Sequence, residues 1–197
     1  MDSDLTRGEL MNVQWKRRLV TGLLSASLLV VAGCGSQNVM DNYSFGNQVI
    51  RSGQSEITIA LPYEMGKSLQ STSNDGYPMD LYGANSEHIM IEVKAIQAGP
   101  GKPLPTVEDY VKGKEGEFNS LGATMTMNSV NLNGTPATHM DGTFVVQNRQ
   151  IRISQYIFMN EGVLWNITYT YPSDDQVGAD ISKEIEQKIY VTEKKEG

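Results

Sequence analysis

Residues 163–171 have the sequence VLWNITYTY, in which bulky apolar or aromatic side chains alternate with other residues. Successive side chains of a strand point to opposite faces, so the odd-numbered positions share one face. Those positions carry Val163, Trp165, Ile167, Tyr169 and Tyr171. The opposite face combines Leu164 with three polar residues. This alternation predicts an antiparallel strand with one buried face, ended by a proline.

Turn signals before this strand divide the preceding residues into three more strands. Asn133-Gly134 is the strongest short signal for a two-residue hairpin. Gln147-Asn148-Arg149 and Asn160-Glu161-Gly162 also predict turns. The predicted meander has strands over residues 124–132, 138–147, 150–159 and 163–171.

Two helices are predicted to flank this meander. Thr106-Val107-Glu108-Asp109 resembles a capping box and predicts a helix from Val107 to about Ser120. Ser173-Asp174-Asp175-Gln176 resembles a second capping box, which predicts a helix ending at about Ile189. The apolar stripe of this second helix consists of Val177, Ile181, Ile185 and Ile189.

The residues before the first helix contain three further strand patterns. They cover residues 56–61, 79–84 and 88–95, and the turn-rich stretches 71–78 and 98–105 are predicted loops. The element order is therefore strands, helix, meander and helix, without βαβ alternation. An α+β fold follows, in which a central, mainly antiparallel sheet carries helices on its faces as an α/β/α sandwich.

The composition limits the classes of partner and site. The chain has 16 Lys and Arg against 23 Asp and Glu, a formal net charge of −7. Its basic residues form no run after residue 34, so nucleic acid is an unsuitable partner. The one cysteine excludes an internal disulfide and a cysteine-rich zinc site.

The N-terminal region carries a targeting signal. Three basic residues at 16–18 precede an apolar run over residues 19–31. This run fits a secretory signal and is shorter than the roughly 20 residues of a spanning helix. The stretch Val31-Ala32-Gly33-Cys34 that follows resembles the lipobox of bacterial lipoproteins. The alternatives are a plain signal peptide with a chance cysteine, or a buried core helix.

The lipobox resemblance implies cleavage between Gly33 and Cys34. It also implies a diacylglyceryl thioether on Cys34 and acylation of the new N-terminus, with palmitate as the expected kind of chain. Gly35 stands where such lipoproteins often carry an inner-membrane retention Asp. The expected location is the cell membrane or the outer membrane, with the domain outside the cytoplasm.

The expected organisation has four parts. Residues 1–33 form the signal peptide, with Met11 a plausible true start because residues 1–10 carry acids that do not suit its basic end. Residues 34–55 are rich in Gly, Ser, Asn and Gln and are predicted to be a flexible tether, although Val49 and Ile50 could begin a strand. A single domain over residues 56–192 and a charged tail over 193–197 complete the chain.

The segment from Leu104 to Ile189 resembles the superfamily of the photosystem PsbP subunit and the Mog-type Ran-binding protein. That superfamily also includes envelope lipoproteins of the DcrB type. The resemblance rests on five segments, at residues 104–111, 133–137, 152–156, 165–170 and 171–175. It implies an α/β/α sandwich that acts mainly as a binding or assembly factor. No motif matches a family partner site, so no Ran-binding or photosystem role is implied.

Several side chains were weighed as parts of a site. His88 lies beside Glu87 and shares a strand face with Glu92, but two histidines are too few for the usual metal site. His139 and Asp141 share a strand face, and with Glu87 they could form a carboxylate–imidazole pair; the alternative is a surface or hydrogen-bonded histidine.

No catalytic motif was found around the remaining candidates. Ser154 lacks a nucleophile elbow, and Cys34 is consumed by lipidation. The aromatic residues of the last two strands are predicted to be core, and the acids of the last helix a solvated, capping face. That acidic set is Asp174, Asp175, Asp180, Glu184 and Glu186.

The expected function is that of a lipid-anchored, non-enzymatic envelope protein that binds a protein or a cell-wall component. No catalytic residue, metal ligand or cofactor is assigned. The alternatives are a lipoprotein that binds a small molecule or metal ion, and a hydrolase.

Overall fold

The computed structural model describes residues 43–66 and 69–191. Residues 1–42, with the predicted signal peptide, Gly33 and Cys34, lie outside the described residues, as does the tail at 192–197. The described part contains ten strands and two helices. The elements before the first hairpin of the meander are β1 (Gly46–Ser52), β2 (Ser55–Leu61), β3 (Leu69–Thr72), β4 (Pro78–Asn85), β5 (Met90–Ile96) and α1 (Val107–Ser120). They are followed by β6 (Thr124–Leu132), β7 (Thr135–Val146), β8 (Arg149–Asn160), β9 (Val163–Pro172), α2 (Gln176–Glu186) and β10 (Ile189–Val191).

The strands form two antiparallel sheets. The larger has seven strands in the order β3-β4-β5-β9-β8-β7-β6, and the smaller has three in the order β1-β2-β10. The predicted α+β class and the predicted antiparallel meander are confirmed. All three predicted turns of the meander close two-residue loops, because Leu132 pairs with Thr135, Val146 with Arg149, and Asn160 with Val163.

The central strand β9 is buried on both faces, whereas its sequence predicted one buried face. Trp165 on one face and Leu164 on the other are both 0% exposed. The Trp165 side packs against the small sheet and α2, and the Leu164 side packs against α1. The two faces are therefore two separate cores, which gives the layered sandwich predicted from the sequence.

The second sheet was not predicted. Residues 46–52, assigned to the tether, form β1, and Ile189 belongs to β10 rather than to the end of a helix. Both strands pair with β2, where Ile50 faces Ile57 and Ile189 faces Ile59. The domain boundary predicted at residue 56 is thus at least ten residues too late, since the described β1 begins at Gly46.

The two helix starts differ in how well their caps were predicted. Thr106 caps α1 as predicted and accepts a hydrogen bond from the Asp109 N–H. The predicted cap at Ser173 is wrong, because Asp175 caps α2 and accepts from the Gly178 N–H at 3.0 Å. A Cβ at Gly178 would lie 2.6 Å from the backbone oxygen of His88, so only glycine allows this approach of α2 to the turn before β5.

Candidate functional site

The strand register places Ser154 beside His139 and Asp141, which the sequence predicted to share a strand face. His139 lies opposite Tyr156, and Asp141 lies opposite Ser154. Ser154 in turn lies opposite Tyr169 of β9. We call His139, Ser154, Tyr156 and Glu186 the His139 cluster.

Hydrogen bonds connect the cluster to the last turn of α2. His139 Nε2 lies 2.8 Å from Ser154 Oγ, and the Ser154 hydroxyl donates to Glu186 Oε1 at 3.3 Å. The His139 ring stacks on Tyr156 with 4.5 Å between ring centroids. Because the single hydroxyl proton of Ser154 is directed to Glu186, His139 Nε2 acts as a donor to Ser154.

The direction of the His139–Ser154 hydrogen bond is opposite to that in a nucleophilic triad. In a triad the imidazole accepts the serine proton, and the carboxylate holds the far nitrogen of the imidazole. Here the carboxylate of Glu186 bonds the serine itself, and Ser154 is only 2% exposed. The arrangement suits a buried structural hydroxyl.

His139 bonds Ser154 and not Asp141 or Glu87, so it is the hydrogen-bonded histidine of the alternative interpretation. Asp141 instead makes a bidentate pair with Arg152, at 3.1 and 2.6 Å. A guanidinium readily forms such a bidentate pair with a carboxylate, so Asp141 pairs with Arg152 and not with His139.

His88 is the histidine that has carboxylate neighbours. It lies in the turn before β5, not in the strand, and its Nδ1 lies 2.9 Å from Asp175 Oδ2. Its Nε2 lies 3.3 Å from Glu87 Oε1. The predicted neighbour Glu92 instead pairs with Lys94 at 2.5 Å. His88 therefore joins the turn before β5 to the N-terminal cap of α2. The described residues contain no group of three His, Cys, Asp or Glu side chains that could hold a metal ion.

The acidic residues of the α2 region have separate roles rather than a common one. Asp175 caps the helix, and Glu186 belongs to the His139 cluster. The remaining three make contacts with Arg149, Gln176 and Lys188 at the surface. The predicted capping role is confirmed for Asp175 and the predicted solvated face for the three surface acids, whereas Glu186 contacts the buried Ser154.

The aromatic residues of β8 and β9 form core, as predicted. Trp165, Tyr169, Tyr156 and Phe158 are all buried. Burial raises the pKa of Tyr156, and the negative charge of nearby Glu186 raises it further. Burial also raises the pKa of Tyr169, whose hydroxyl has no hydrogen-bond partner among the described residues.

The raised pKa values of these tyrosines should make the free energy of unfolding decrease at alkaline pH. The native state keeps the Tyr156 and Tyr169 protons above the unfolded pKa of about 10. Their contribution is therefore complete below that pH and is lost as the pH rises toward the raised native values, by about 1.4 kcal/mol per pH unit for each retained proton. We expect the urea midpoint to be constant between pH 7 and 9 and to fall above about pH 10.

The matched variant is Tyr156→Phe, which removes one of these protons. Its urea midpoint should fall less steeply above pH 10 than that of the parent chain. Parallel declines of the two proteins would show that Tyr156 does not carry the effect.

The outer edge of β6 is a feature that the sequence analysis missed. Because the two-residue loop makes Leu132 and Thr135 a hydrogen-bonded pair, the even-numbered residues of β6 direct their N–H and C=O groups to β7. The odd-numbered residues direct theirs away from the sheet. These are Met125, Met127, Ser129 and Asn131. No described strand pairs with this side of β6.

Two of the other sheet edges are short, and the third, β1, carries the charged residue Arg51. The strands β3 and β10 have four and three residues. Along β1, the side chain of Gln48 donates to the Tyr63 carbonyl and accepts from the Met65 N–H at 2.7 Å. In contrast, β6 has nine residues, without a charge or a proline, and Met127 is 40% exposed.

None of the described helices is long and apolar enough to cross a lipid bilayer. The predicted lipidation site at Cys34 lies outside the described residues, so the structure does not test it.

Comparisons with known proteins give structural likenesses only. No protein-family profile and no curated protein sequence matches the chain. A crystal structure of LpqN, involved in cell envelope biogenesis of Mycobacterium tuberculosis, is 13% identical with a TM-score of 0.47, covering 79% of this chain and 96% of LpqN. The solution structure of PsbP from the cyanobacterium Synechocystis is 13% identical with a TM-score of 0.44, covering 82% and 99%.

A third structure is protein PA94 of Pseudomonas aeruginosa, whose function is unknown. It is 14% identical with a TM-score of 0.42, and the match covers 72% of this chain and 94% of PA94. Likenesses of this extent carry no argument about function. The fold described above rests on strand order and register.

Proposed function

We propose that this protein is a lipid-anchored, non-enzymatic component of the cell envelope that binds an extended segment of another protein along β6. The anchor is the lipid on Cys34, and the domain lies outside the cytoplasm at the cell membrane or outer membrane. The β6 edge is the observation that carries the proposal.

Proteins usually protect a sheet edge with charges, prolines, bulges or a covering segment, because an open edge recruits further strands. Here two of the four edges are short, a third carries a charge, and the longest is open and uncharged. Strand addition at such an edge uses main-chain hydrogen bonds for affinity and alternate side chains for specificity. The four outward residues of β6 offer N–H and C=O groups for this purpose.

Side chains on the two faces of β6 indicate the kind of segment that fits. Met125 and Met127 share the face of α1, and methionine adapts to varied apolar partners. Thr126 and Asn128 share the opposite face. A segment that alternates apolar and polar residues matches both faces.

The length of the tether supports a partner near the membrane. Between Cys34 and the start of β1 at Gly46 there are twelve residue steps, 46 − 34. A fully extended chain covers about 3.4 Å per residue, so the domain reaches at most about 40 Å from the lipid. The expected partner is therefore associated with the membrane.

Site-specific crosslinking in the native envelope tests the proposal. A photoreactive amino acid at Asn128 is expected to capture one membrane-associated protein, identified by mass spectrometry. The control position is Leu69, which is exposed on β3 at the opposite edge of the same sheet. A crosslinked product at twice the mass of the chain would show that β6 pairs with a second copy of the chain, which contradicts the proposed partner. Equal capture at Asn128 and Leu69 would contradict binding at the β6 edge.

A further inference from the structure

Met127 is the one exposed methionine among the residues that the structure describes. It is 40% exposed, whereas Met140 is 0% exposed and the other described methionines are partly buried. Residues 43–66 and 69–191 contain no cysteine, so methionine supplies every sulfur atom in them. Because oxidation of sulfur depends on access, Met127 is the described sulfur that an oxidant reaches most easily.

Met127 lies in the middle of β6, directly opposite Met140 of β7. Since Met127 directs its N–H and C=O groups away from β7, these two residues form a non-hydrogen-bonded pair, in which side chains approach closely. Met140 belongs to the core between the large sheet and α1, and Met125 packs against the same core. Met127 therefore extends this apolar face of the sheet to its open edge.

A strand added along β6 covers the Met127 side chain. Its hydrogen bonds use the outward N–H and C=O groups of Met127, so one partner residue lies directly opposite Met127 on the same face. The Cβ atoms of such a pair are about 5 Å apart, which brings the two side chains into contact. An apolar partner residue at this position matches the reduced thioether.

Oxidation makes the same side chain polar. A peroxide transfers one oxygen atom to the thioether sulfur, so that an S–O bond forms, the O–O bond breaks, and the peroxide leaves as water or an alcohol. The sulfur loses two electrons and the peroxide gains them. Water satisfies the sulfoxide oxygen on a free edge, but an apolar partner residue displaces that water without supplying a donor, which disfavours binding.

We infer that Met127 is a reversible oxidation site that controls partner binding at β6. This inference rests on the strand addition proposed above. The thioether permits binding, the sulfoxide weakens it, and methionine sulfoxide reductases restore the thioether. A bound partner in turn protects Met127, because the covered sulfur is no longer accessible to the peroxide.

Mild hydrogen peroxide treatment of native envelopes tests the inference, with the photoreactive residue at Asn128. Fragment ions in mass spectrometry should show Met127 oxidised at least tenfold faster than Met140. Once half of Met127 is oxidised, the crosslinked product should carry at least fivefold less Met127 sulfoxide than the free chain. Equal sulfoxide in the two fractions, or equal oxidation rates of the two methionines, would overturn the inference.

The variant Met127→Leu separates oxidation of this sulfur from damage to the partner. For each variant, the crosslinking yield after peroxide is divided by its own yield before peroxide. This ratio should fall at least fivefold in the parent chain and recover with purified methionine sulfoxide reductases A and B. It should stay near one in Met127→Leu, which has no sulfur at this position. Met90→Leu, at a partly buried position of β5, is the matched control and should show the loss seen in the parent.

The outcomes distinguish this inference from the proposed function. A loss in Met127→Leu equal to that in the parent chain would overturn the inference, as would an unchanged parent yield with Met127 fully oxidised. Both results leave strand addition at β6 intact. Absence of any crosslink from the untreated parent chain would instead contradict strand addition, and the inference with it.

Discussion

Trp165→Ala is expected to bring the domain close to unfolding. Trp165 is completely buried in the core between the two sheets, and its Nε1–H donates to Ser55 Oγ at 2.9 Å. Replacing a core tryptophan by alanine typically costs about 3–5 kcal/mol, from lost burial and from the cavity left behind. Since a domain of this kind is stabilised by about 5–15 kcal/mol in total, the loss is a large fraction of the free energy of unfolding.

Urea unfolding of Trp165→Ala beside the parent chain measures this loss. Leu164→Ala tests the opposite face of β9, where the α1 core predicts a loss of about 2–5 kcal/mol. Val145→Ala is the control, because Val145 is 68% exposed and should change stability by less than about 0.5 kcal/mol. An unchanged midpoint for Trp165→Ala would mean that the register of β9 is shifted by one residue.

Cys34→Ala is expected to abolish lipid attachment completely. A thioether requires a thiol, and Cys34 is the one cysteine of the chain. Metabolic labelling with a fatty-acid analogue should therefore fall to background, and an unprocessed precursor should accumulate.

Moving the thiol provides the control for this experiment. Cys34→Ala combined with Ser36→Cys keeps one cysteine but places it outside the lipobox, so labelling should remain absent. Undiminished labelling of Cys34→Ala would contradict the lipoprotein assignment.

The parts of the fold that the sequence predicted well depend on local signals. Asn133 and Gly134 both adopt positive φ, at 52° and 103°, which is the backbone conformation that their residue types favour. Thr106 predicted the start of α1 for a similar reason, since its side chain competes for a local backbone N–H. Period-two alternation within the meander then set the approximate limits of the strands.

The second sheet escaped prediction because its signals are not local. Ile189 fits the apolar stripe of α2 at a spacing of four residues, and the same residue also fits a short strand. Only pairing with Ile59 on β2 distinguishes the two conformations. The polar composition of residues 46–52 likewise hides a strand whose buried side chains are Ile50 and Ser52.

The candidate sites likewise combine residues that the sequence indicates with long-range contacts that it does not. His139, Asp141 and Ser154 were noticed from the sequence, but the pairing of Ser154 with Glu186 joins residues 32 positions apart. The open edge could not be found, because the position of β6 at the end of the sheet follows from the complete strand order.

The most direct test of partner binding combines crosslinking with a proline on the open edge. Met127→Pro removes one outward N–H of β6 and leaves the hydrogen bonds to β7 intact, because the Met127 N–H does not point to β7. The measurement is the yield of the crosslinked partner from Asn128 in intact envelopes, with urea unfolding confirming that the variant is folded. We expect the yield to fall at least tenfold, whereas an unchanged yield from the folded variant would contradict strand addition at β6.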